Sequence, residues 1–574
     1  MLQKINYYFN YNDSRKVLDM KVMERNGANV LLEALASEGV EYIFGNPGTT
    51  ELPLMDALIN KPDIHYILAL QEASAVAMAD GYAQASGRPG FINLHTAGGL
   101  GHGLGNLLNA YTSGTPLVVT AGQQDSRHAI TDPLLQGDLV SIAAPTTKWA
   151  AEVTTPEQIP VLVHRAFQDS QATPSGPVFL SLPMNVMEAS CDIEIPNASH
   201  VDRRPIANSL EALAEELAAI APGKIAIIAG DEISNNDAYK EVVELAEILA
   251  APVFGSSWPA HIPYPTSHYL WQGNLPTKAS DIAEKMQDFD CVFALGGKSF
   301  ITILYSDTSA LPDNCELFQL SVDGGDLGRT YPSKLSVVGD IQFSLKALNL
   351  LLTEKVTVNH HQYEMKRSLA KKSFIERRQT LHKLADSFAH QKIIHPLVAA
   401  RALATAIGST PIVDEALATA THLRNFLNNH STKQYSFLRG GALGWGMPAA
   451  VGFSLGLGKK PVVSLVGDGA AMYSPQALWT AVHEELPVTF IVMNNQEYNI
   501  LKNFMRSQPN YISAQTGKFI AMDINKPAID FLALAKSMGM PAQRINKASD
   551  ISDLVTNAIA SNKPNLIEII ISCE

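Results

Sequence analysis

The 574-residue sequence predicts an α/β fold of three doubly wound domains, each with a parallel sheet. Short β-branched apolar segments alternate with helical segments nearly throughout, as in parallel sheets that are covered on both faces. The chain is also too long for one hydrophobic core. A polar, proline-bearing stretch at residues 192–208 and a charged helical stretch at 353–395 divide it into three parts.

The elements of the three expected domains follow one another in order. The first domain is expected at residues 25–190, with a helix at 26–40 and strands at 40–45, 65–71, 90–95, 117–122 and 177–183. The central domain is expected at 205–350, with strands at 224–232, 291–297 and 337–340. The third is expected at 390–574, with strands at 410–415, 461–469, 488–495 and 564–572. Residues 1–24 are expected to be a polar N-terminal extension or to result from a start site assigned too early.

Composition argues against several classes of function. The net charge of −13 disfavours a general binder of nucleic acid or of anionic membranes. No apolar run approaches the ~20 residues of a membrane-spanning helix, and residues 1–24 lack the apolar core of a signal peptide. The cysteines are far apart, which argues against a zinc site or a disulfide framework and favours reduced thiols in the cytoplasm. They are Cys191, Cys291, Cys315 and Cys573.

Two polar clusters mark the ends of neighbouring expected strands in the third domain. One strand ends at Asp468, and after a helix the next ends at Asn495. Open α/β sheets bind ligands at the carboxyl ends of their strands. The carboxylate of Asp468, the amide oxygen of Asn495 and the backbone carbonyl of Glu497 suit Mg²⁺. A diphosphate is expected to meet the backbone at Gly467, Gly469 and Ala470.

Glu72 lies where an expected strand turns into a helix of small residues. A carboxylate in that place is expected to be buried. A buried carboxyl can donate a proton to a nitrogen of a bound cofactor. The alternative is a first-turn acid that interacts only with the helix dipole.

Seven segments of the chain resemble blocks of the benzoylformate decarboxylase family of thiamine-diphosphate enzymes. They are NPGTTELP, YILALQEA, ADGYAQAS, FINLH, PLVVTAGQQ, GGALGWGMPAA and GDGAAMYS. The resemblance covers residues 25–574, and more distantly the chain is similar to acetolactate synthases. It implies pyrimidine-binding, central dinucleotide-like and diphosphate-binding domains, with thiamine diphosphate and Mg²⁺ as cofactors. It further implies a homodimer at minimum, with a homotetramer favoured.

The resemblance also implies roles for individual residues. Glu72 matches the glutamate that activates the cofactor, and His95 matches an active-site histidine. Thr49 stands where the family has a serine that holds the substrate carboxylate. Leu443 matches the bulky residue that bends the cofactor, and Gly441 would offer its carbonyl to the cofactor's amino group. Tyr473 and Tyr498 are further expected cofactor residues, and Phe437 and Phe504 are either substrate-pocket walls or core residues. His102 is expected on the same glycine-rich loop as His95, where it could compensate for a missing active-site histidine or be merely solvated or bonded to the backbone, and Arg439 is expected to face either the substrate carboxylate or solvent.

The sequence departs from the family in two places. The family's second active-site histidine would fall within residues 296–307, where the aligned position is Ile303 and no histidine occurs. The hydroxyls expected to meet the diphosphate are replaced by Leu417 and Ala418. The central domain also lacks a GxGxxG turn, which favours a structural role over nucleotide binding.

The resemblance implies non-oxidative decarboxylation of a 2-oxo acid through a C2 ylid and an enamine. Three alternatives stay open. The same intermediate can attack a second carbonyl compound, as in acetolactate synthases. A lyase acting on 2-hydroxyacyl-CoA thioesters is related chemistry. A non-catalytic protein on an enzyme scaffold is the third, against which the joint presence of Glu72, Asp468 and Asn495 argues.

Overall fold

The computed structural model describes residues 25–356 and 360–573 and contains three six-stranded sheets. Every pairing between the named strands is parallel, and helices cover the sheets, so the predicted fold class is confirmed. The predicted extension at residues 1–24 lies outside the described residues. No helix in the described part of the chain is long and apolar enough to cross a membrane.

The first sheet has the strand order β2-β1-β3-β4-β6-β5. Its strands are β1 (Tyr42–Gly45), β2 (His65–Leu68), β3 (Gly90–His95), β4 (Leu117–Gln123), β5 (Ala150–Glu152) and β6 (Val178–Pro183). The helices of this domain are α1 (Gly27–Ser37), α2 (Leu52–Leu58), α3 (Glu72–Ser86), α4 (Thr96–Ser113), α5 (Leu139–Ala143), α6 (Ile159–Gln171) and α7 (Met184–Glu188). Asn26 caps α1, accepting a hydrogen bond from the Asn29 backbone N–H.

The central sheet has the order β12-β11-β10-β7-β8-β9. Its elements are α8 (Leu210–Ala219), β7 (Ile225–Ala229), α9 (Glu232–Asn235), α10 (Tyr239–Leu249), β8 (Val253–Gly255), β9 (Trp271–Asn274), α11 (Ala279–Met286), β10 (Cys291–Leu295), β11 (Glu316–Ser321), β12 (Leu335–Val338) and α12 (Ile341–Val356). The described stretch between α7 and α8 has neither helix nor strand beyond a bridge at Ser190, in line with the predicted linker.

The charged segment after the central sheet forms the helix α13 (His360–Ser387). Arg377 donates to the backbone carbonyl of Trp271 in the central domain over 3.0 Å. Arg378 donates to the carbonyl of Asn425 in the third domain over 2.8 Å. The helix therefore bridges the central and third domains.

The third sheet has the order β14-β13-β15-β16-β18-β17. Its elements are α14 (Pro396–Ile407), β13 (Ile412–Glu415), α15 (Ala418–Phe426), β14 (Tyr435–Phe437), α16 (Gly446–Gly456), β15 (Val462–Gly467), α17 (Asp468–Ala471), α18 (Ala477–His483), β16 (Val488–Asn494), α19 (Asn499–Arg506), α20 (Ile512–Thr516), α21 (Phe531–Ser537), β17 (Ala542–Ile545), α22 (Ile551–Ala560) and β18 (Asn565–Ile570).

The first and third domains join through α3 and α16, which pack with their backbones almost in contact. A Cβ added to Gly452 would lie 1.7 Å from the carbonyl oxygen of Met78. Only glycine permits that approach without moving a helix. Beside the glycine contacts, the Trp445 indole donates to the fully buried Asp80 over 2.7 Å. This contact holds the loop before α16 at a constant position relative to the first domain.

Candidate active site

Glu72 is buried at the first residue of α3. The Asn46 amide donates to its Oε1 over 3.2 Å, and Nδ1 of His102 lies 3.1 Å from its Oε2. The helix α4 passes close beside this carboxyl group, since a Cβ on Gly99 would lie 3.1 Å from Cγ of Glu72. Both carboxyl oxygens of Glu72 thus have polar partners in a site that α4 largely shields from water.

His95 ends β3 and sits in a socket formed by the turn after β1. Its Nδ1 lies 2.8 Å from Oε2 of Glu51 and 3.1 Å from the Thr50 hydroxyl. A Cβ on Gly48 would overlap the imidazole ring, at 2.3 Å from its Cγ. The hydrogen bond to Glu51 raises the pKa of His95 above its ordinary value, although partial burial opposes that shift. His95 therefore holds a proton more readily than a free histidine.

Glu51 is a residue of this site that the sequence interpretation missed. It is 2% exposed, and its Oε1 accepts hydrogen bonds from the Gly122 N–H over 3.0 Å and the Thr50 hydroxyl over 2.7 Å. A buried carboxylate with several donors is an oriented anion that fixes its partner. The signal was available in the motif NPGTTELP, where an acidic residue follows two threonines. Thr49, expected to hold the substrate carboxylate, precedes this socket with an exposed side chain.

The loop at residues 440–444, here called the wedge loop, contains Gly441 and Leu443. Asn109 of α4 holds it from one side, accepting from the Ala442 N–H over 3.0 Å and donating to its carbonyl over 2.8 Å. Gly441 has a φ of +83°, a conformation that favours glycine. Leu443 is half-buried against the core that the first and third domains share. The first domain therefore sets the position of the loop predicted to bend the cofactor.

Glu415, at the end of β13, holds the wedge loop from the other side. Its two carboxyl oxygens accept hydrogen bonds from the backbone N–H groups of Gly444 and Gly446, each over 2.7 Å. Its side chain is completely buried, and burial raises the pKa of Glu415 to about 7. Sequence reasoning did not single out this residue, because its partners lie some thirty positions farther along the chain.

Arg439, just before the wedge loop, is neither solvated nor available to a substrate carboxylate, which corrects both interpretations of the sequence. Its Nε donates to Oδ2 of Asp231 over 2.8 Å, and the Arg439 side chain is 8% exposed. Oδ1 of Asp231 accepts from the backbone N–H of Ala260 over 2.8 Å. This ion pair fastens the central domain to the chain segment that leads into the wedge loop.

The predicted metal site lies at the carboxyl ends of β15 and β16, which are paired neighbours. Oδ1 of Asp468 accepts from the Gly469 N–H over 2.8 Å, and Oδ2 accepts from the Gln496 N–H over 2.6 Å. Burial raises the pKa of Asp468 to about 6. Oδ1 of Asn495 accepts from the Glu497 N–H over 3.1 Å. The two strand ends are therefore joined directly through Asp468.

The surroundings of Asp468 fit a magnesium diphosphate group. The oxygens of Asp468 and Asn495 and the carbonyl of Glu497 are hard ligands, which Mg²⁺ prefers. Among the described residues, Oε1 of Glu497 and Oγ of Ser474 are buried without a hydrogen-bond partner. Buried polar atoms normally have one, so these atoms have hydrogen-bonding capacity that a bound polar ligand would satisfy. No group of three His, Cys, Asp or Glu side chains suited to a metal occurs in the described part of the chain.

The other predicted cofactor contacts surround the same strand ends. Tyr498 packs on Gly469, where an added Cβ would lie 2.5 Å from its ring. Ala470 is buried in α17, and Gly467 ends β15. Tyr473 is exposed, next to Gly444 of the wedge loop. The structure thus gathers these residues on one side of the third sheet.

The loop after β13 contains a strained residue. Leu417 has a φ of +47°, which is costly for a residue with a branched side chain. Ala418 follows it as the first residue of α15, a helix that has no side-chain cap. Such strain clusters at ligand-binding loops. The strained backbone at Leu417 and Ala418 therefore coincides with the place where the sequence lacks the expected hydroxyl side chains.

Three predicted substrate residues lie in different environments. Phe437 is 1% exposed and packs edge-on against Trp258 with ring centres 5.0 Å apart, so the structure favours core packing over a pocket wall. Phe504 is half-buried on α19. His102 lies within the helix α4, not in a glycine-rich loop as the sequence suggested. Ile303, expected at the position of the family's second histidine, is exposed.

The central sheet reverses its order between β7 and β10, where such folds bind ligands. In this chain the backbone after β7 contacts the backbone after β10 in that crevice. A Cβ on Gly230 would lie 2.0 Å from the Gly296 carbonyl oxygen. Glu232 closes over it, accepting from the Ser321 hydroxyl over 2.8 Å and from the Val322 N–H over 2.9 Å. Burial raises the pKa of Glu232 to about 7, and a carboxyl group at this position offers no positive charge to a phosphate, which favours a structural role for the central domain.

The chain has three α/β domains, with the buried Glu72 in the first and the pair Asp468 and Asn495 at joined strand ends in the third. This combination defines a class of thiamine-diphosphate enzymes. Three family models match the chain in this order. They are the N-terminal TPP binding domain at residues 25–141, the central domain at 210–348 and the C-terminal TPP binding domain at 406–569. The chain belongs to the thiamine pyrophosphate enzyme family.

Individual relatives span nearly the whole chain. Benzoylformate decarboxylase from Pseudomonas aeruginosa is 30% identical over 94% of this chain and 97% of its own length. A putative acetolactate synthase large subunit from Mycobacterium tuberculosis is 27% identical over 95% of this chain and 99% of its own length. A benzoylformate decarboxylase and a putative acetolactate synthase large subunit are thus both among its relatives.

Solved structures give the same result. A 4-hydroxybenzoylformate decarboxylase from Rhodococcus jostii superposes with a TM-score of 0.83 and 26% identity, covering 96% of this chain and 100% of that one. A benzoylformate decarboxylase from Polynucleobacter necessarius superposes with a TM-score of 0.84 and 27% identity, covering 96% of this chain and 99% of that one. The three-domain architecture is therefore shared with these enzymes.

Proposed function

We propose that this protein is a thiamine-diphosphate- and Mg²⁺-dependent decarboxylase of a 2-oxo acid. One observation carries the proposal: Glu72 lies buried in the first domain, while Asp468 and Asn495 meet at joined strand ends in the third. The first arrangement suits proton transfer to a cofactor ring, and the second suits a metal-bound diphosphate. The similarity to benzoylformate decarboxylases supports the same chemistry.

The residues divide the work between two domains. Asp468, Asn495 and the Glu497 carbonyl would hold Mg²⁺, with the Gly467–Ala470 backbone and Tyr498 beside the diphosphate. Gly441 and Leu443 would hold the ring end of the cofactor, whose chemistry when bound is to accept electrons from the substrate's carbonyl carbon. Tyr473 lies at the edge of this set.

His95 and its neighbours are assigned to the substrate. Because Glu51 raises the pKa of His95, the imidazole can donate a hydrogen bond to a carboxylate or a proton to the product carbon. Thr49, exposed beside this socket, is assigned to the substrate carboxylate. Phe504 remains a candidate pocket wall.

The decisive experiment is a panel of 2-oxo acids assayed for CO₂ release with thiamine diphosphate and Mg²⁺. We expect at least one acid to be decarboxylated by the wild type, and that activity to be lost in Glu72→Gln, whose amide keeps the shape but cannot pass a proton. Folding and cofactor affinity of the variant, measured by calorimetry, serve as the control. No CO₂ from any acid would argue against the proposal.

Carboligation is a second candidate because acetolactate synthases are among the relatives of the chain. It is tested by the products from one 2-oxo acid with and without an added aldehyde. A dominant hydroxyketone product would replace the decarboxylase assignment, and activity on 2-hydroxyacyl thioesters alone would replace it with a lyase.

We further propose a homodimer at minimum, favouring a homotetramer, in the cytoplasm. The domain limits proposed for the described chain are 25–190, 205–350 and 390 to the C-terminus. Light scattering on the purified protein tests the assembly, and a monomeric active enzyme would contradict it.

A further inference from the structure

His102 and Gly99 both face the carboxyl group of Glu72 from α4. Residues three positions apart lie on the same face of a helix. A Cβ on Gly99 would lie 3.3 Å from Oε1 of Glu72, and Nδ1 of His102 lies 3.1 Å from Oε2. The imidazole is thus brought to the carboxyl by the geometry of one rigid helix, not by a mobile loop.

His102 connects a shielded group with water. The side chain of Glu72 is 11% exposed, whereas that of His102 is 66% exposed. Oε1 of Glu72 is occupied by the Asn46 amide, which cannot exchange protons as an acid or base. Oε2 is therefore the oxygen that meets a titratable neighbour.

Two other titratable side chains act on this region and are less suited to the task. His95 is engaged by Glu51 and is 20% exposed, with Glu72 only a minor influence on its pKa. Tyr66 is buried, and burial raises the pKa of its phenol far above the ordinary value. Its hydroxyl has no hydrogen-bond partner among the described residues.

We propose that His102 is the relay through which Glu72 exchanges its proton with water. The inference rests on the proposed function, in which Glu72 gives up and regains a proton. When Glu72 releases the proton, the O–H bond at Oε2 breaks, an N–H bond forms at Nδ1 of His102, and the proton on Nε2 leaves to water. Uptake reverses each transfer and restores the first tautomer. His102 acts through Glu72 and does not touch the substrate.

An asparagine at position 102 separates this role from simple positioning. An amide donates a hydrogen bond to a carboxylate as an imidazole does, but it cannot accept and pass on a proton. His102→Asn is therefore expected to keep Glu72 oriented and to block the relay. His102→Ala also removes the ring and leaves space for added imidazole.

The test follows the exchange of the C2 proton of bound thiamine diphosphate for deuterium, by quench and NMR, in the absence of substrate. We expect His102→Asn to bind the cofactor as the wild type does and to exchange more slowly by at least about tenfold, the low end of losing an acid–base group. Exchange in His102→Ala should rise with added imidazole. His200→Asn, which removes an exposed histidine from the linker, is the control.

A cofactor-free readout accompanies the exchange rates. Glu72→Gln should shift the ring resonances of His102 in selectively labelled protein, because an amide that cannot ionise replaces the carboxyl group beside the imidazole. Wild-type exchange in His102→Asn, or no response of His102→Ala to imidazole, would overturn the relay while leaving the proposed function intact. A wild type that binds no thiamine diphosphate would overturn both, so the two failures are distinguishable.

Discussion

Oε2 of Glu51 lies 2.8 Å from Nδ1 of His95, and the glutamate side chain is almost completely shielded from water. The carboxylate is held by two backbone donors, Gly48 in the turn after β1 and Gly122 near the end of β4. The imidazole therefore meets an anion that cannot turn away from it. The protonation of His95 is set by this partner more than by its own exposure.

The first prediction concerns Glu51→Gln, which should lower the pKa of His95. The Glu51 contact raises the pKa of His95 in the folded protein. The contact therefore stabilises the fold fully below the pKa of His95 in the unfolded chain, about 6.5, and this stabilisation is lost as the pH rises through the higher pKa of the folded state. We expect the variant to lose about 1 kcal/mol more stability near pH ~6 than near pH ~9, after allowance for solvent screening. Urea unfolding at both pH values, with NMR titration of His95, measures this.

The glutamine amide has one acceptor oxygen, so Glu51→Gln loses the hydrogen bond from Gly48 or from Gly122 at every pH. The difference in stability loss between the two pH values is therefore the informative quantity. An unchanged His95 titration would show that the contact does not control its proton.

His95→Ala should damage turnover much more than cofactor binding. Loss of a positioned acid–base group costs about 10²–10⁴ in rate. The measurement combines kcat, the thermal midpoint and cofactor affinity. His65→Ala, at an exposed position at the start of β2, is the matched control. A lowered midpoint with nearly normal kcat would make His95 a structural residue.

Asp468→Asn should weaken magnesium-dependent cofactor binding by at least about 10²-fold, because it removes the charged ligand from the predicted site. Since burial raises the pKa of Asp468 to about 6, wild-type affinity should also fall as pH drops below that value. Calorimetric titration across pH measures both effects. Asp553→Asn, on the exposed surface of α22, should bind normally. Equal affinity in the two variants would remove Asp468 from the metal site.

Asp231→Asn should destabilise the protein by about 3 kcal/mol, because it leaves the mostly buried Arg439 without its anion. The wedge loop follows Arg439 directly, so cofactor affinity should fall as well. Asp202→Asn breaks an exposed pair with Arg204 and should change little. Urea unfolding and cofactor titration measure the effects. The coupling between Asp231 and Arg439 is measured with the double variant Asp231→Asn with Arg439→Gln. If its loss of stability equals the sum of the two single losses, the two side chains are not coupled.

Gly452→Ala should destabilise the protein by at least about 1–3 kcal/mol, since the added Cβ would overlap the Met78 carbonyl between α3 and α16. Gly101→Ala is the contrast: a Cβ there meets nothing within 4 Å, and alanine favours the helix. The thermal midpoints of the two variants should therefore move in opposite directions. A tolerated Gly452→Ala would show that the two helices can separate without cost.

The sequence by itself determined the secondary structure and the fold class of this protein, because strands and helices have short repeats of polar and apolar residues. Alternating strand and helix patterns indicated three parallel sheets, which the structure confirms. Because parallel strands present their carboxyl ends at one edge, the positions of Asp468 and Asn495 predicted that they lie together. Glu72 at a helix start followed from the same local periodicity.

Only the tertiary structure decided the contacts between residues far apart in the chain. Arg439 pairs with Asp231 across 208 positions, and His102 meets Glu72 across 30. Phe437, interpreted as a possible pocket wall, proved to be buried against Trp258. Secondary structure depends on local repeats that a sequence displays directly. Side-chain partners depend on how helices and sheets pack, and that packing depends on close approaches such as Gly452 on Met78, which carry no local pattern.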